Sequence, residues 1–252
     1  MAPNTMYLIT GANRGIGFGI VSILLQHANT TVVVTVRNET TNVAPLKALP
    51  KADNSDLIIT YLVISTTSTT EIETSHKAVA ESLKAKGIEK IDVLIANAGS
   101  GTCFRSTLDT PLSSIAVDFY ANTLGPIALY QTLLPFLRAS TNAKFVIIGS
   151  ILGSIGAMMP GAPTLSYGTS KAAVHYAAKK IHDEEEKMVV LTIHPGWVQT
   201  TNGQNFADSI GVPAPPMTVE KSAEGVLAQI DRATKETASG IFVGLDGVEV
   251  PW

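Results

Sequence analysis

Tyr167 and Lys171 stand four residues apart in the segment Ser166–Lys171, S-Y-G-T-S-K, a spacing that stacks a phenol and an ammonium on one helical face. A phenol of ordinary pKa near ~10 must shift by ~3 units, roughly 4 kcal/mol, to exchange a proton near neutral pH. An ammonium at ~4 Å contributes about that much at an effective dielectric of ~20. The pair therefore reads as acid–base chemistry, with Tyr167 carrying the proton and Lys171 lowering its pKa. The same spacing recurs at Tyr176 and Lys180. Nine residues are two and a half helical turns, however, so Tyr176 points roughly opposite and lies about 13 Å further along. Only one pair can face a common site, and Tyr176, mid-helix among alanines, reads as packing. A carbonyl that accepts hydride needs a donor at its oxygen. Ser150, just beyond an apolar run, can supply one beside the phenol. Ser154 is a rival four residues on, and either hydroxyl could instead satisfy loop backbone groups.

The second chemical segment is T-G-A-N-R-G-I-G at Thr10–Gly17. Gly11, Gly15 and Gly17 follow one apolar run and open a helical one, with Asn13, Arg14 and Ile16 between them. That context gives such a turn its meaning: glycine lets backbone N–H groups approach a pyrophosphate, and the helix N-terminus favours its charge. Gly19 extends the same face and eases helix–strand packing. Arg37 ends the second apolar run, where an acidic residue would normally hold the adenosine ribose hydroxyls. A guanidinium there suits a 2′-phosphate, with Arg14 beside it, and points to NADP(H) over NAD(H). The plainer reading of Arg37 is a solvated cation at a strand end.

Seven apolar runs must position these residues: Met6–Thr10, Thr31–Arg37, Leu57–Ile64, Ile91–Ala96, Lys144–Gly149, Met188–His194 and Gly240–Val243. They are continuous rather than alternating, as expected of strands covered on both faces of a parallel sheet. Between them lie helical patterns, among them Ile16–Ala28 and Ile72–Lys86, the latter stopped by Gly87. Thr110 and Pro111 read as a cap and first position of a helix running to about Arg138, with Pro126 loosening the turn that holds Asn122. The fold class is α/β, a doubly wound Rossmann-type three-layer sandwich around a mostly or fully parallel seven-stranded sheet. The 252 residues read as one domain, with a mobile substrate loop around 200–217.

Composition excludes several function classes. A net charge of −3, without basic runs, argues against nucleic acid or an anionic membrane as partner. No apolar run is long enough to span a bilayer. Cys103 is the sole cysteine, which rules out an intrachain disulfide and suits a reducing compartment. Met6–Thr10 reads as a strand rather than a leader, so the expected location is cytoplasmic. His175 and His194 lack ligand-type spacing to another His, Cys or acid, so no metal is expected and each reads as structural.

These segments, in this order along the whole chain, resemble the single-domain branch of the short-chain dehydrogenase/reductase family. Thr10–Gly17 is similar to the family's cofactor turn. A-N-A-G at Ala96–Gly99 is similar to the segment that stabilises the sheet beside the adenosine, which brings in Asn97, Ala98 and Gly99. N-T-L-G-P at Asn122–Pro126 resembles the helix that carries an active-site Asn. Ser150, Tyr167 and Lys171 match the other catalytic positions. P-G-W-V-Q-T at Pro195–Thr200 resembles the nicotinamide loop; the resemblance implies that Pro195, Gly196 and the Val198 backbone border the carboxamide, and that Thr200 approaches the phosphates. It further implies that Asn122 holds a water linking Lys171 to solvent. It favours Ser150 over Ser154, because G-S-I-L-G-S-I and the ending D-G-V-E-V-P-W are closest in pattern to carbonyl reductases and fungal ketoreductases. One departure stands out: where many members carry an Asp near the adenine, this chain has Leu62-Val63-Ile64-Ser65, so Val63 and Ile64 would make apolar contacts.

The expected activity is NADPH-dependent reduction of a ketone, of aromatic or polyketide type, by a homodimer or homotetramer. The alternatives are an NAD-dependent alcohol dehydrogenase of the same family and a non-catalytic cofactor-binding regulator. Met158, Met159 and Pro160, with Phe206, Ile210, Val212 and Pro213–Met217, are candidates for an apolar roof over the substrate, or for ordinary packing and subunit contact.

Overall fold

The computed structural model describes residues 4–252. Seven strands form one sheet in the order β3-β2-β1-β4-β5-β6-β7, every neighbouring pair parallel. They are β1 (Thr5–Thr10), β2 (Thr30–Val36), β3 (Asp56–Tyr61), β4 (Val93–Ala96), β5 (Lys144–Ile148), β6 (Val189–Ile193) and β7 (Phe242–Val243). All seven expected runs are strands, and their continuous hydrophobicity has a direct cause. Successive residues serve opposite layers. Ile9, Val34, Val146 and Leu191 join α1 (Gly15–Leu24) and α8 (Val219–Arg232) in one core. Leu8, Val33, Phe145 and Val190 join α3 (Thr69–Ala85), α5 (Gly125–Arg138) and α6 (Leu165–Glu184) in the other. Between α1 and α3 lies the short α2 (Ala44–Lys47).

The strand order reverses at β1, which pairs with β2 on one side and β4 on the other. In a doubly wound sheet this is where the crevice opens beyond the carboxyl ends of the strands. The glycine turn leaves β1 there, and Asn97–Gly99 leaves β4 beside it.

Several local expectations are corrected. β3 stops at Tyr61, so Leu62–Ile64 lies beyond the sheet. α1 ends at Leu24, four residues early, because the chain tightens through bonds from Gln26 N to Ile23 O and His27 N to Leu24 O and then turns at Asn29, φ +56°. Thr110 does not cap the next helix. Its hydroxyl donates backwards to Ser106 O (2.7 Å), and α4 (Leu112–Phe119) begins after Pro111. The loosening expected ahead of Pro126 takes a definite form, a π-helical turn at Tyr120–Leu124 in which Gly125 N bonds to Tyr120 O. The stretch expected as a loop contains α7 (Thr201–Ser209), whose first turn is capped by the Thr200 hydroxyl accepting from Gly203 N. Gly87 does close α3, at φ +72°. No helix among the described residues is long and apolar enough to cross a membrane.

Candidate active site

A cavity of about 680 Å³ follows the carboxyl ends of the central strands from Arg37 to Tyr167, a size within the range of ligand sites. Its two ends are built differently.

At the first end the backbone does the work. Gly11 (φ +66°) and Gly15 (φ +58°) occupy the left-handed region. A Cβ at Gly11 would stand 3.0 Å from both Ala98 Cα and Cβ. The turn is clasped to β4: Thr10 Oγ1 accepts from Asn97 N (3.1 Å) and Ala98 N (3.0 Å), while Asn97 Nδ2 donates to Thr10 O (2.9 Å). This leaves a side-chain-free cradle at the N-terminus of α1 whose donors fit a pyrophosphate. Asn13, Arg14, Ile16, Arg37, Ala98 and Gly99 also line the cavity. Neither Arg14 nor Arg37, both exposed, has an acidic partner among the described residues.

Side chains from distant elements converge at the second end. Tyr167, in the first turn of α6, is almost wholly buried. Burial pushes its phenol up to about 12; hydrogen bonds from Ser150 and Asn202 pull it down, and the Asp118 charge adds to the rise. Lys171 lies one turn on, its Nζ donating to Ile148 O at 2.7 Å and sitting 5.6 Å from the centre of the Tyr167 ring. Burial lowers this ammonium to about 8, with Asp118 opposing. The lysine is anchored to the Ile148 carbonyl, and desolvation holds the Tyr167 phenol in its protonated form.

Ser150 follows β5. Its N–H donates to His175 Nε2 (3.3 Å) and its Oγ accepts from Leu152 N (3.2 Å). His175 is buried against Phe242, with ring centres 4.4 Å apart, and burial lowers it to about 3. It is thus a neutral brace behind the serine. His194 lines the cavity, accepts from Ile151 N (3.3 Å) and is lowered to about 4 by burial. Ser154 faces away: its hydroxyl donates to Pro251 O and accepts from Ala157 N. Tyr176 is 75% exposed, so it is off the site as its helical phase required, but it does not pack.

Three expected site residues do not line the cavity. Gly17 gives room for Asn97, whose Nδ2 would meet a Cβ at 2.6 Å. Val63 is 47% exposed, and Leu62 and Ile64 face the cavity on either side of it. The Asn122 side chain accepts from Ser100 N (2.8 Å) and donates to Ser100 O (2.7 Å) and Ser170 Oγ (2.9 Å). It braces the strand-β4 loop against α6. The remaining expected residues, Pro195, Gly196, Val198 and Thr200 among them, line the cavity. The expected roof divides: Met159 and Phe206 reach the cavity, whereas Met217 packs beneath Gly196 and pairs with Val198.

Sequence reasoning missed four residues here. Asp118, fully buried, accepts from Ser166 Oγ (2.6 Å), Thr102 Oγ1 (3.1 Å) and Thr102 N (3.2 Å). Phe104 packs on Tyr167 (ring centres 5.9 Å apart) and on Phe206 (5.4 Å), which packs on Trp197 (5.4 Å). Asn202 comes from α7. Helical phase could have found only Asp118, which sits four residues before Asn122; Phe104 and Trp197 are brought in by loops, and Asn202 by the short helix α7.

A family profile described as short chain dehydrogenase matches residues 5–210. A norsolorinic acid ketoreductase of Aspergillus parasiticus is 38% identical over 98% of this chain and 91% of its own length. The corresponding enzyme of Dothistroma septosporum is 36% identical over 100% of this chain and 94% of its own. An NADPH-bound carbonyl reductase from chicken fatty liver superposes with a TM-score of 0.81 at 27% identity, covering 99% of this chain and 100% of that one.

Proposed function

The chain belongs to the short-chain dehydrogenase family of oxidoreductases, and from that premise we propose that it reduces a ketone at the expense of NADPH, with Tyr167 as proton donor. One observation carries the reading: a buried phenol that keeps its proton shares a single cavity with a side-chain-free glycine cradle. NADPH, when bound along that cavity, supplies the hydride. Everything else falls to the chain's own residues. Gly11–Gly15 would hold the pyrophosphate, and Arg14 and Arg37 would pair with the 2′-phosphate. Ser150 donates to the substrate oxygen, and Tyr167 gives its proton to that oxygen as charge develops there. Lys171 would hold the nicotinamide ribose. Asn122 holds the Ser100 loop against α6.

The substrate end favours a flat apolar ketone. Phe104, Phe206, Trp197 and Met159 wall the space beside Tyr167, and aromatic faces of this kind suit an aromatic or polyketide-type partner. Ketone reduction is also what the names of the two fungal relatives state. The test is Tyr167→Phe. Ketone-dependent NADPH oxidation should fall at least about a thousandfold, while NADPH binding, followed by fluorescence titration, stays near wild type. Retained turnover would refute the assignment.

A further inference from the structure

Asp118 is fully buried near the end of α4 and makes no ion pair among the described residues. A buried carboxylate without a cation is costly unless donors surround it. Donors do, and its two oxygens divide them. Oδ1 accepts from Ser100 Oγ (3.3 Å), Thr102 N (3.2 Å) and Thr102 Oγ1 (3.1 Å), all in the loop after β4. Oδ2 accepts from Ser166 Oγ (2.6 Å), in the first turn of α6. The Ser114 carbonyl also lies near that hydroxyl (2.9 Å), but the shorter contact to a charged oxygen takes its one proton.

The two segments held in this way carry two sides of the substrate space. The Ser100–Thr102 loop leads to Phe104, whose ring lies back over Gly101, where a Cβ would stand 2.9 Å from Phe104 Cζ. Phe104 therefore rests on a stretch that Asp118 grips on either side of Gly101. Ser166 directly precedes Tyr167, and the Phe104 and Tyr167 rings stand 5.9 Å apart.

We propose that Asp118 is a positioning residue with two separable duties: through Thr102 it seats the Phe104 wall against which an aromatic ketone packs, and through Ser166 it aims the Tyr167 phenol. The proposal rests on Tyr167 being the proton donor. Asp118 does not line the cavity, so it acts only through the residues it holds. One carboxylate joined to both the wall and the donor fixes the distance between them, and a ketone laid on Phe104 then presents its oxygen to the phenol. The charge of Asp118 works in the same sense, raising both the phenol and the Lys171 ammonium. Asn122 does not duplicate these ties, since its bonds go to the Ser100 backbone and to Ser170.

The experiment cuts the two ties one at a time. Thr102→Val removes the hydroxyl donor of the loop, Thr102→Ser keeps it, and Ser166→Ala removes the donor of α6. NADPH oxidation is followed with a naphthyl ketone and with a small aliphatic ketone, and kcat is counted per NADPH-binding site from fluorescence titration, so that unfolded protein does not enter. Thr102→Val should raise KM for the naphthyl ketone about tenfold and leave the aliphatic KM and both kcat values within about twofold. Thr102→Ser should match the wild type. Ser166→Ala should lower kcat about tenfold for both ketones at nearly constant KM, and should enlarge the solvent deuterium isotope effect, because a misaimed phenol gives up its proton more slowly. Asp118→Ala should combine both losses, and the hydroxyl variants carry the test by themselves if its folding fails. In Thr102→Val, a naphthyl KM that stays at the wild-type value, or rises together with the aliphatic one, would overturn the proposal. So would a Thr102→Ser that behaves like the valine variant, or an unchanged kcat and isotope effect in Ser166→Ala. Tyr167→Phe is run beside them: if it keeps its turnover, the reading beneath the proposal has failed, and not the Asp118 role alone.

Discussion

The cavity has a cofactor end and a chemical end, and they are held together by different physics. At the glycine turn the contacts are short and local: Gly11 N donates to Thr35 O (3.1 Å), Thr10 Oγ1 accepts the Asn97 and Ala98 amides, and Gly11 lies so close to Ala98 that a Cβ would meet it at 3.0 Å. At Tyr167 nearly every contact is a side chain, and the side chains come from α4, β5, α6, α7 and the loop carrying Phe104. One end works because atoms are missing. The other works because particular atoms converge. Adding a side chain should therefore ruin the first and spare the second, and deleting a polar atom should do the reverse.

Gly11→Val is the strongest test of the cradle. It places a branched side chain at φ +66°, against Ala98. Strain of this kind is of the order of 1–3 kcal/mol, and the clash adds to it. NADPH affinity should fall about a hundredfold or more in fluorescence titration. Tyr167→Phe should do the opposite, removing turnover and sparing affinity. If Gly11→Val binds NADPH normally, the cradle is not the backbone device described.

Arg37→Asp sharpens the same end at smaller amplitude. A guanidinium–phosphate contact contributes about 1.5–3 kcal/mol, so NADPH should bind about 10- to 100-fold more weakly, and NADH should change little or improve. Equal losses for both cofactors would show that Arg37 serves the fold rather than the 2′-phosphate.

The same contrast explains what was legible in the sequence. The glycine turn is contiguous, and Asn97–Gly99 is a short motif at a strand end, so spacing alone located both. The seven strands were readable because residues such as Leu8 and Ile9 are both fully buried, in opposite layers. Tyr167 and Lys171 share a helix and were separated from Tyr176 by helical phase. Asp118 and Asn202 escaped because their roles are tertiary. Asp118 is the one buried residue of a helix that also carries Ser113 and Ser114, and Asn202 lies in a Gly- and Pro-rich stretch whose helix depends on the Thr200 cap and the Trp197 bond to Gly203. Val63 was misplaced by one position because β3 ends three residues before Ile64. Beyond the sheet, strand alternation no longer dictates which side chain faces the crevice.

Acid should separate the two ends most finely. The cradle rests on Thr10 and Asn97, which do not titrate, while Ser150 rests on His175 and Ile151 on His194. Burial lowers His175 from 6.5 to about 3 and His194 from 6.5 to about 4. A depressed histidine takes up its proton in the unfolded chain first, so stability is full above about pH 6.5 and is lost as pH falls towards those values. Asp92 and Asp56, also lowered but by hydrogen bonds from Ser140 and Lys51 among other causes, begin to matter only below the ordinary carboxylate range. Thermal midpoints should therefore be level from pH 8 to about 6.5 and fall between about 6.5 and 4, by a few kcal/mol in stability. His175→Phe should lower the midpoint at pH 7, because Ser150 N loses its acceptor, and should make the acid fall shallower. Hydrogen exchange at pH 5, corrected for intrinsic rates, should show Ile151–Gly153 opening before Thr10–Asn97. Equal protection at both ends, or an unchanged acid slope in His175→Phe, would mean that the buried histidines do not set the acid limit of the chemical end.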